Sequence, residues 1–206
     1  MEDKIIFNEY AYGCAKIAGS VVVYHAALQY YALNTQQSNI IQLHAEKHFS
    51  SFENLGITYK YQPIKYILFK IKVKDPDSNP IMVTSISQTI LDCIRNMDAA
   101  GGLEEVLNAI ASLQYGQLDE KEMLTYLKTY DNASLWSRTG YLLSLYSETN
   151  GVSQSFLQKC RISGNKVKNK LKYNNMSLVY IPFWHLSVPE NIMAITKEGI
   201  AYDEIF

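Results

Sequence analysis

The chain has 206 residues, of which 48% are hydrophobic and 19% charged, with 5 prolines. That composition excludes disorder and supports one substantial core or two small ones. Lys and Arg number 19 against 20 Asp and Glu, for a net charge of −1, so the molecule as a whole lacks the positive field of a DNA-wrapping protein and any nucleic-acid contact is local. Cys14, Cys93 and Cys160 form no CxxC and have no histidine at zinc spacing. A disulfide framework, a structural metal and a cofactor are therefore not expected, and a reducing cytoplasm is.

At the start of the chain, Glu2 and Asp3 precede a mixed polar segment, so no secretory leader is read. The apolar stretch from Ile17 to Leu33 is broken by Ser20, His25 and Gln29 and falls short of the roughly 20 apolar residues that cross a membrane. It reads instead as a helix from a Ser20 cap to about Leu33, with Val21, Tyr24, Leu28 and Tyr31 on one face. From Asn39 to Leu43, Gly56 to Gln62, Tyr66 to Val73 and Pro80 to Thr84 the character changes to short β-branched and aromatic runs. Asp75 to Asn79 supply turn chemistry between the last two, which predicts a hairpin in a small antiparallel sheet.

After Thr84 the chain turns helical. Ser85 and Gln88 have capping-box spacing ahead of the stripe Ile86, Ile90, Cys93, Ile94 and Met97. Gly101 and Gly102 break that helix; they have no Lys-Ser/Thr pair and no preceding strand to make them a phosphate loop. Glu104 and Glu105 then complement the dipole of the next helix, whose apolar face holds Leu103, Val106, Leu107 and Ile110. Asp119 opens a third helix, Ala133 to Tyr146 make a fourth and Ser153 to Arg161 a fifth, before strand composition returns from Leu171 to Phe183. The fold class is α+β: a small antiparallel sheet in the N-terminal half packed with a helical C-terminal half. Residues 1–206 are read as one domain, divisible into a sheet-rich 1–84 and a helical 85–206.

The nearly balanced charge is segregated. Lys60, Lys65, Lys70, Lys72 and Lys74 form a block without acids, as do Lys159, Arg161, Lys166, Lys168, Lys170 and Lys172. The second block is the candidate contact surface, for phosphates or an acidic partner protein. The 16 tyrosines read as half-buried rings with wet hydroxyls, base stacking being the alternative. His44 and His48 flank Glu46 at the third place, not directly after the first His as in a zinc-protease helix, so they do not predict a metal site. His25 reads as a packed, hydrogen-bonded residue, and His185 stands beside Trp184. Ser85, Ser87, Thr89 and Asp92 lack the strand–turn–helix elbow of a nucleophile.

Several stretches in order carry a resemblance: Gly19-Ser20 with Tyr24 to Leu28 and Tyr31 to Leu33, Gln37, Val83, Thr89 to Cys93, Ala100 to Val106, and Trp136, Arg138 and Gly140 to Leu143. Together they resemble the C-terminal domain of the AbiE-type antitoxins, transcriptional repressors of type IV toxin–antitoxin pairs in phage defence by abortive infection. Ser87-Gln88 stand where the family shows Glu-Arg, and Ala32 where it shows Gly. Members begin with a winged helix-turn-helix that binds operator DNA. Met1 falls almost where that module ends, so DNA reading is not expected of this segment alone. The resemblance implies a non-enzymatic bacterial regulator that counteracts a nucleotidyltransferase-type toxin, with or without touching it, and supports autoregulation of its operon. With Arg138 isolated in an acidic region, it also suggests an Asp92–Arg138 pair locking the two halves together. The alternatives are a stand-alone nucleic-acid-binding module using the basic blocks, or an enzyme related to nucleases or nucleotidyltransferases.

Overall fold

The computed structural model describes residues 8–74, 79–165, 168–171, 174 and 176–195. Helix α1 (Glu9–Lys16) is capped by Asn8, whose side chain accepts from the Ala11 amide at 3.0 Å. The stretch expected as one helix from Ser20 is divided into β1 (Val21–Val22) and α2 (Tyr24–Tyr30). Three consecutive valines favour extended backbone, and Val22, fully buried, pairs with Leu43 on one side and Val83 on the other. A strand buried on both faces reads as a continuous apolar run that mimics a helix face.

Four of the remaining strands are β2 (Ile40–His44), β4 (Ile57–Tyr61), β5 (Lys70–Val73) and β6 (Ile81–Thr84), all within the predicted runs or one residue beyond; β3 (Phe52–Asn54) was not predicted. They form one sheet in the order β3-β4-β2-β1-β6-β5. The fold class is α+β as expected, but the sheet is mixed, not antiparallel: β1 runs parallel to β6 and β2 to β4. For the β2–β4 pair the cause is the β3–β4 hairpin. Leu55 and Gly56 both adopt positive φ, 49° and 77°, the two-residue turn that suits strand twist, and it folds β4 back between β3 and β2. The expected β5–β6 hairpin is present, Lys70 opposite Thr84 and Val73 opposite Ile81; its turn at 75–78 lies outside the described residues.

The two faces of this sheet bury different cores. Val22, Ile41, Leu43, Tyr59 and Val83 pack with Tyr10 and Ala11 of α1. Val21 points the other way, into a larger cluster that draws on residues from Tyr24 to Ile195.

The helical part follows its caps. Ser85 accepts from the Gln88 amide at 3.2 Å to open α3 (Ile86–Arg95). A 3-10 turn (Asp98–Ala100) and the positive φ of Gly101 and Gly102 then separate it from α4 (Leu103–Ala111). Asp119, Asn132 and Ser153 cap α5 (Glu120–Tyr130), α6 (Ala133–Ser144) and α8 (Gln154–Gly164), with the short α7 (Ser147–Asn150) between the last two. The predicted reach of Gln88 back to the helix start is not made. Its side chain accepts instead from the Leu68 and Phe69 amides, at 3.0 and 2.8 Å, and donates to the Tyr66 carbonyl and to Asp92. It thereby satisfies the irregular chain leading into β5, which has no ladder partner there.

After α8 come β7 (Asn169–Lys170), β8 (Leu178–Ile181) and β9 (Leu186–Pro189), a second sheet in the order β7-β9-β8. The 3-10 turn between β8 and β9 drives Trp184 onto α6, where it meets Gly140. A Cβ added at Gly140 would sit 2.3 Å from the Trp184 ring and 2.8 Å from Cys160 of α8. Gly140→Ala is therefore expected to cost about 1–3 kcal/mol through overpacking, against the gain of about 1 kcal/mol that the same change brings in an open helix. Urea denaturation decides the sign. Among the described residues no helix is long and apolar enough to cross a membrane.

Candidate functional site

Two buried polar networks and one basic surface hold the chemistry-bearing side chains. The first is centred on Asp92, fully buried on α3. Its Oδ1 accepts from the Tyr126 hydroxyl at 2.5 Å and its Oδ2 from Gln88 Nε2 at 3.1 Å. The cation beside it is Arg95, one turn along the same helix, at 3.7 Å. Arg95 in turn donates to the hydroxyls of Tyr126 and Tyr24 and lies 5.0 Å from the centre of the Tyr130 ring. Burial pushes the Asp92 carboxyl up to about 6, although Tyr126, Arg95 and Gln88 all favour its charged form.

The expected Asp92–Arg138 pair is thus not formed. A helix offers its own i+3 position to a carboxylate before any other element can, and Arg95 occupies it. Arg138 turns to the second sheet, where Nη2 donates to the Lys170 carbonyl at 2.9 Å. Thr89 braces the helix start, its hydroxyl 2.8 Å from that of Thr84. Ser85, besides capping α3, donates to Glu122 at 2.6 Å.

The second network was not anticipated beyond its parts. Glu105, fully buried on α4, accepts from the Thr35 amide at 2.7 Å, the Thr35 hydroxyl at 2.5 Å and the Gln36 amide at 3.2 Å. His25 Nε2 lies 3.3 Å away, so this histidine is packed and hydrogen-bonded as expected. Burial alone would raise the Glu105 carboxyl; the donors outweigh it and hold the group down at about 2. The sequence assigned Glu105 only to the helix dipole. A signal was available in Asn108, one turn on, which donates to Thr35 Oγ1 and completes a polar i,i+3 stripe on an otherwise apolar helix. Gly101 belongs to the same packing, since a Cβ there would come within 3.3 Å of both His25 and Glu105.

In the basic block, Lys159 and Arg161 are exposed on α8, and Lys168 and Lys170 are exposed before and within β7. Lys166 and Lys172 lie outside the described residues. The Arg161 guanidinium sits 4.4 Å from the centre of the Phe183 ring, and the Lys168 ammonium 5.5 Å from that of Tyr180. Phe183 is 55% exposed and Tyr180 37%, so each of these two cations lies against a ring that solvent still reaches. The sequence marked the cations but not the rings, which come from β8 and the 3-10 turn after it. Of the other histidines, His44 ends β2, with Nδ1 3.1 Å from the Ile64 amide, and His48 packs edge-on against Tyr61. Among the described residues no group of three or more His, Cys, Asp or Glu is placed to hold a metal ion.

No protein-family model and no curated protein matches the chain. Among solved structures it is similar to the crystal structure of the RV2827C protein from Mycobacterium tuberculosis. The TM-score is 0.65 over 95% of this chain and 72% of that one, at 12% sequence identity. A likeness at that identity is one of fold.

Proposed function

We propose that the chain is a non-enzymatic domain of an AbiE-type antitoxin and transcriptional regulator, acting in the cytoplasm to counteract a nucleotidyltransferase-type toxin and to support autoregulation. The observation that carries this reading is the use made of the two stretches most specific to the resemblance. Thr89 to Cys93 lies in α3 and Ala100 to Val106 leads into α4, and their carboxylates, Asp92 and Glu105, are spent inside the fold on phenols, amides and loop backbone. The acids that an enzyme reading would recruit are therefore committed to architecture. The cysteines agree with a reducing compartment, since Cys14, Cys93 and Cys160 are all free thiols.

The test is to read the genes flanking its own and to co-express the full gene in a bacterial host with a nucleotidyltransferase-like gene found there; the absence of such a neighbour overturns the proposal. Restored growth under toxin induction is the expected result. A well-expressed chain that leaves growth arrested overturns the proposal.

The pairing of Arg161 with Phe183 and of Lys168 with Tyr180 favours one other reading, a nucleic-acid-binding module. It requires affinity for a single strand to fall steeply with salt, with a logarithmic slope of roughly −0.7 per phosphate neutralised. A flat filter-binding series sinks it.

A further inference from the structure

Arg138 is the least provided-for charge among the described residues. It is half-buried on α6, and no described carboxylate lies within salt-bridge distance of it. Its Nη2 reaches the Lys170 carbonyl, while its Nε is shielded from solvent without an acceptor. Burial lowers the guanidinium pKa with no opposite charge to restore it. Arg95, by contrast, has Asp92, two phenols and an aromatic face around it. A desolvated guanidinium without a counter-anion is costly, and a buried donor without an acceptor calls for an explanation.

A cavity of about 360 Å³ opens beside it, between the end of α3, α6 and β7. Arg95, Arg138, Lys170, Asp98 and Asn96 line it, and of the three cations Arg95 is already engaged by Asp92. The negative end of the α3 dipole is answered by Arg95 in its last turn. With Arg95 paired to Asp92, Arg138 and Lys170 against Asp98 leave one uncompensated positive charge, and the free Nε donor of Arg138 with the Asn96 carboxamide adds the several hydrogen-bond donors that the oxygens of an anionic phosphoryl group accept. The planar fork of a guanidinium suits such a group, and the cavity has the size of a small-molecule site.

We propose that this cleft binds a phosphoryl group, with Arg138 as the recognising residue and Lys170 and Arg95 as supporting charges. The site does not depend on the antitoxin reading. It explains why a cation is kept half-buried where a hydrophobic residue would pack more cheaply.

The test is calorimetric titration of the full chain with pyrophosphate, at ionic strength fixed with chloride. Saturable one-site binding is expected, weakened at least tenfold in Arg138→Gln and clearly in Lys170→Gln, and unchanged in Lys121→Gln on the exposed face of α5. Without ligand, Arg138→Gln should melt no lower than the parent; with pyrophosphate, only the parent should gain melting temperature. Should Arg138→Gln fail to fold, Arg138→Lys keeps the charge without the fork and is expected to bind about tenfold more weakly. Adenosine monophosphate and a 5′-phosphorylated hexanucleotide separate the sources. Tighter binding of the first marks a mononucleotide, of the second a strand end, and of neither a free phosphate. Absence of saturable binding, or equal binding by the parent and the Arg138 variant, overturns the proposal.

Discussion

Replacing Asp92 with alanine is expected to destabilise the protein by about 3–5 kcal/mol, the range for removing one partner of a buried charged pair. The change strips the acceptor from the Tyr126 hydroxyl and from Gln88 Nε2, and the counter-charge from Arg95. Gln88 also holds the Leu68 and Phe69 amides, so the damage extends from α3 to the approach to β5. Asp92→Asn keeps one acceptor but turns an amide donor toward Gln88 or Tyr126, and should cost about 1–3 kcal/mol. The two variants also differ from the parent in pH response. Because burial raises the Asp92 carboxyl to about 6, its protonated form is the better buried. Its contribution is complete below the unfolded value near 4 and fades as pH rises through about 6. The stability gap between parent and Asp92→Asn should therefore narrow over that interval. Urea midpoints between pH 4 and 7 measure it, and an Asp92→Ala protein within 1 kcal/mol of the parent, on the order of one ordinary hydrogen bond, would show the network to be dispensable.

Glu105→Ala should be of similar size, about 3–5 kcal/mol, for a different reason. It leaves two backbone amides, a hydroxyl and an imidazole facing an empty site, and releases the 34–36 loop from α4. Here the pH dependence has the opposite sign. The folded carboxyl is held down at about 2 from an ordinary 4.5. Its stabilisation is complete above the unfolded value and is lost as pH falls toward 2, an effect of about 3 kcal/mol at 1.36 per pH unit. Glu105→Gln should flatten the acid limb of the stability curve between pH 4.5 and 2. An acid limb as steep as the parent's would assign the acid sensitivity to other groups.

Much of this fold was legible because its helices announce themselves locally. Ser85, Asp119 and Ser153 cap where they should, and Gly101-Gly102 breaks the chain where it should. What failed were features decided at a distance. Val21 and Val22 look helical until two neighbouring strands are placed on either side of them. Phe52–Asn54 is too short to show a period, and its hairpin turns on Leu55-Gly56 without the Asn-Gly signature. The candidate site divides the same way. Arg138 and the basic block stand out by charge alone. The partner of Asp92 was misassigned because tertiary reach was preferred to the arginine one turn away. The aromatic members of the surface, Tyr180 and Phe183, are contributed by β8 and the 3-10 turn that follows it, which strand composition only hinted at.

The parallel seam between β1 and β6 has a consequence for synthesis. Val22 leaves the ribosome about sixty residues before Val83, and such distant pairings are slow to close. Until the later strand emerges, the nascent chain carries a valine edge with an open ladder on one side, the kind of surface to which chaperones and unwanted partners are drawn. Truncation anywhere before residue 81 should yield insoluble polypeptide instead of a smaller folded unit.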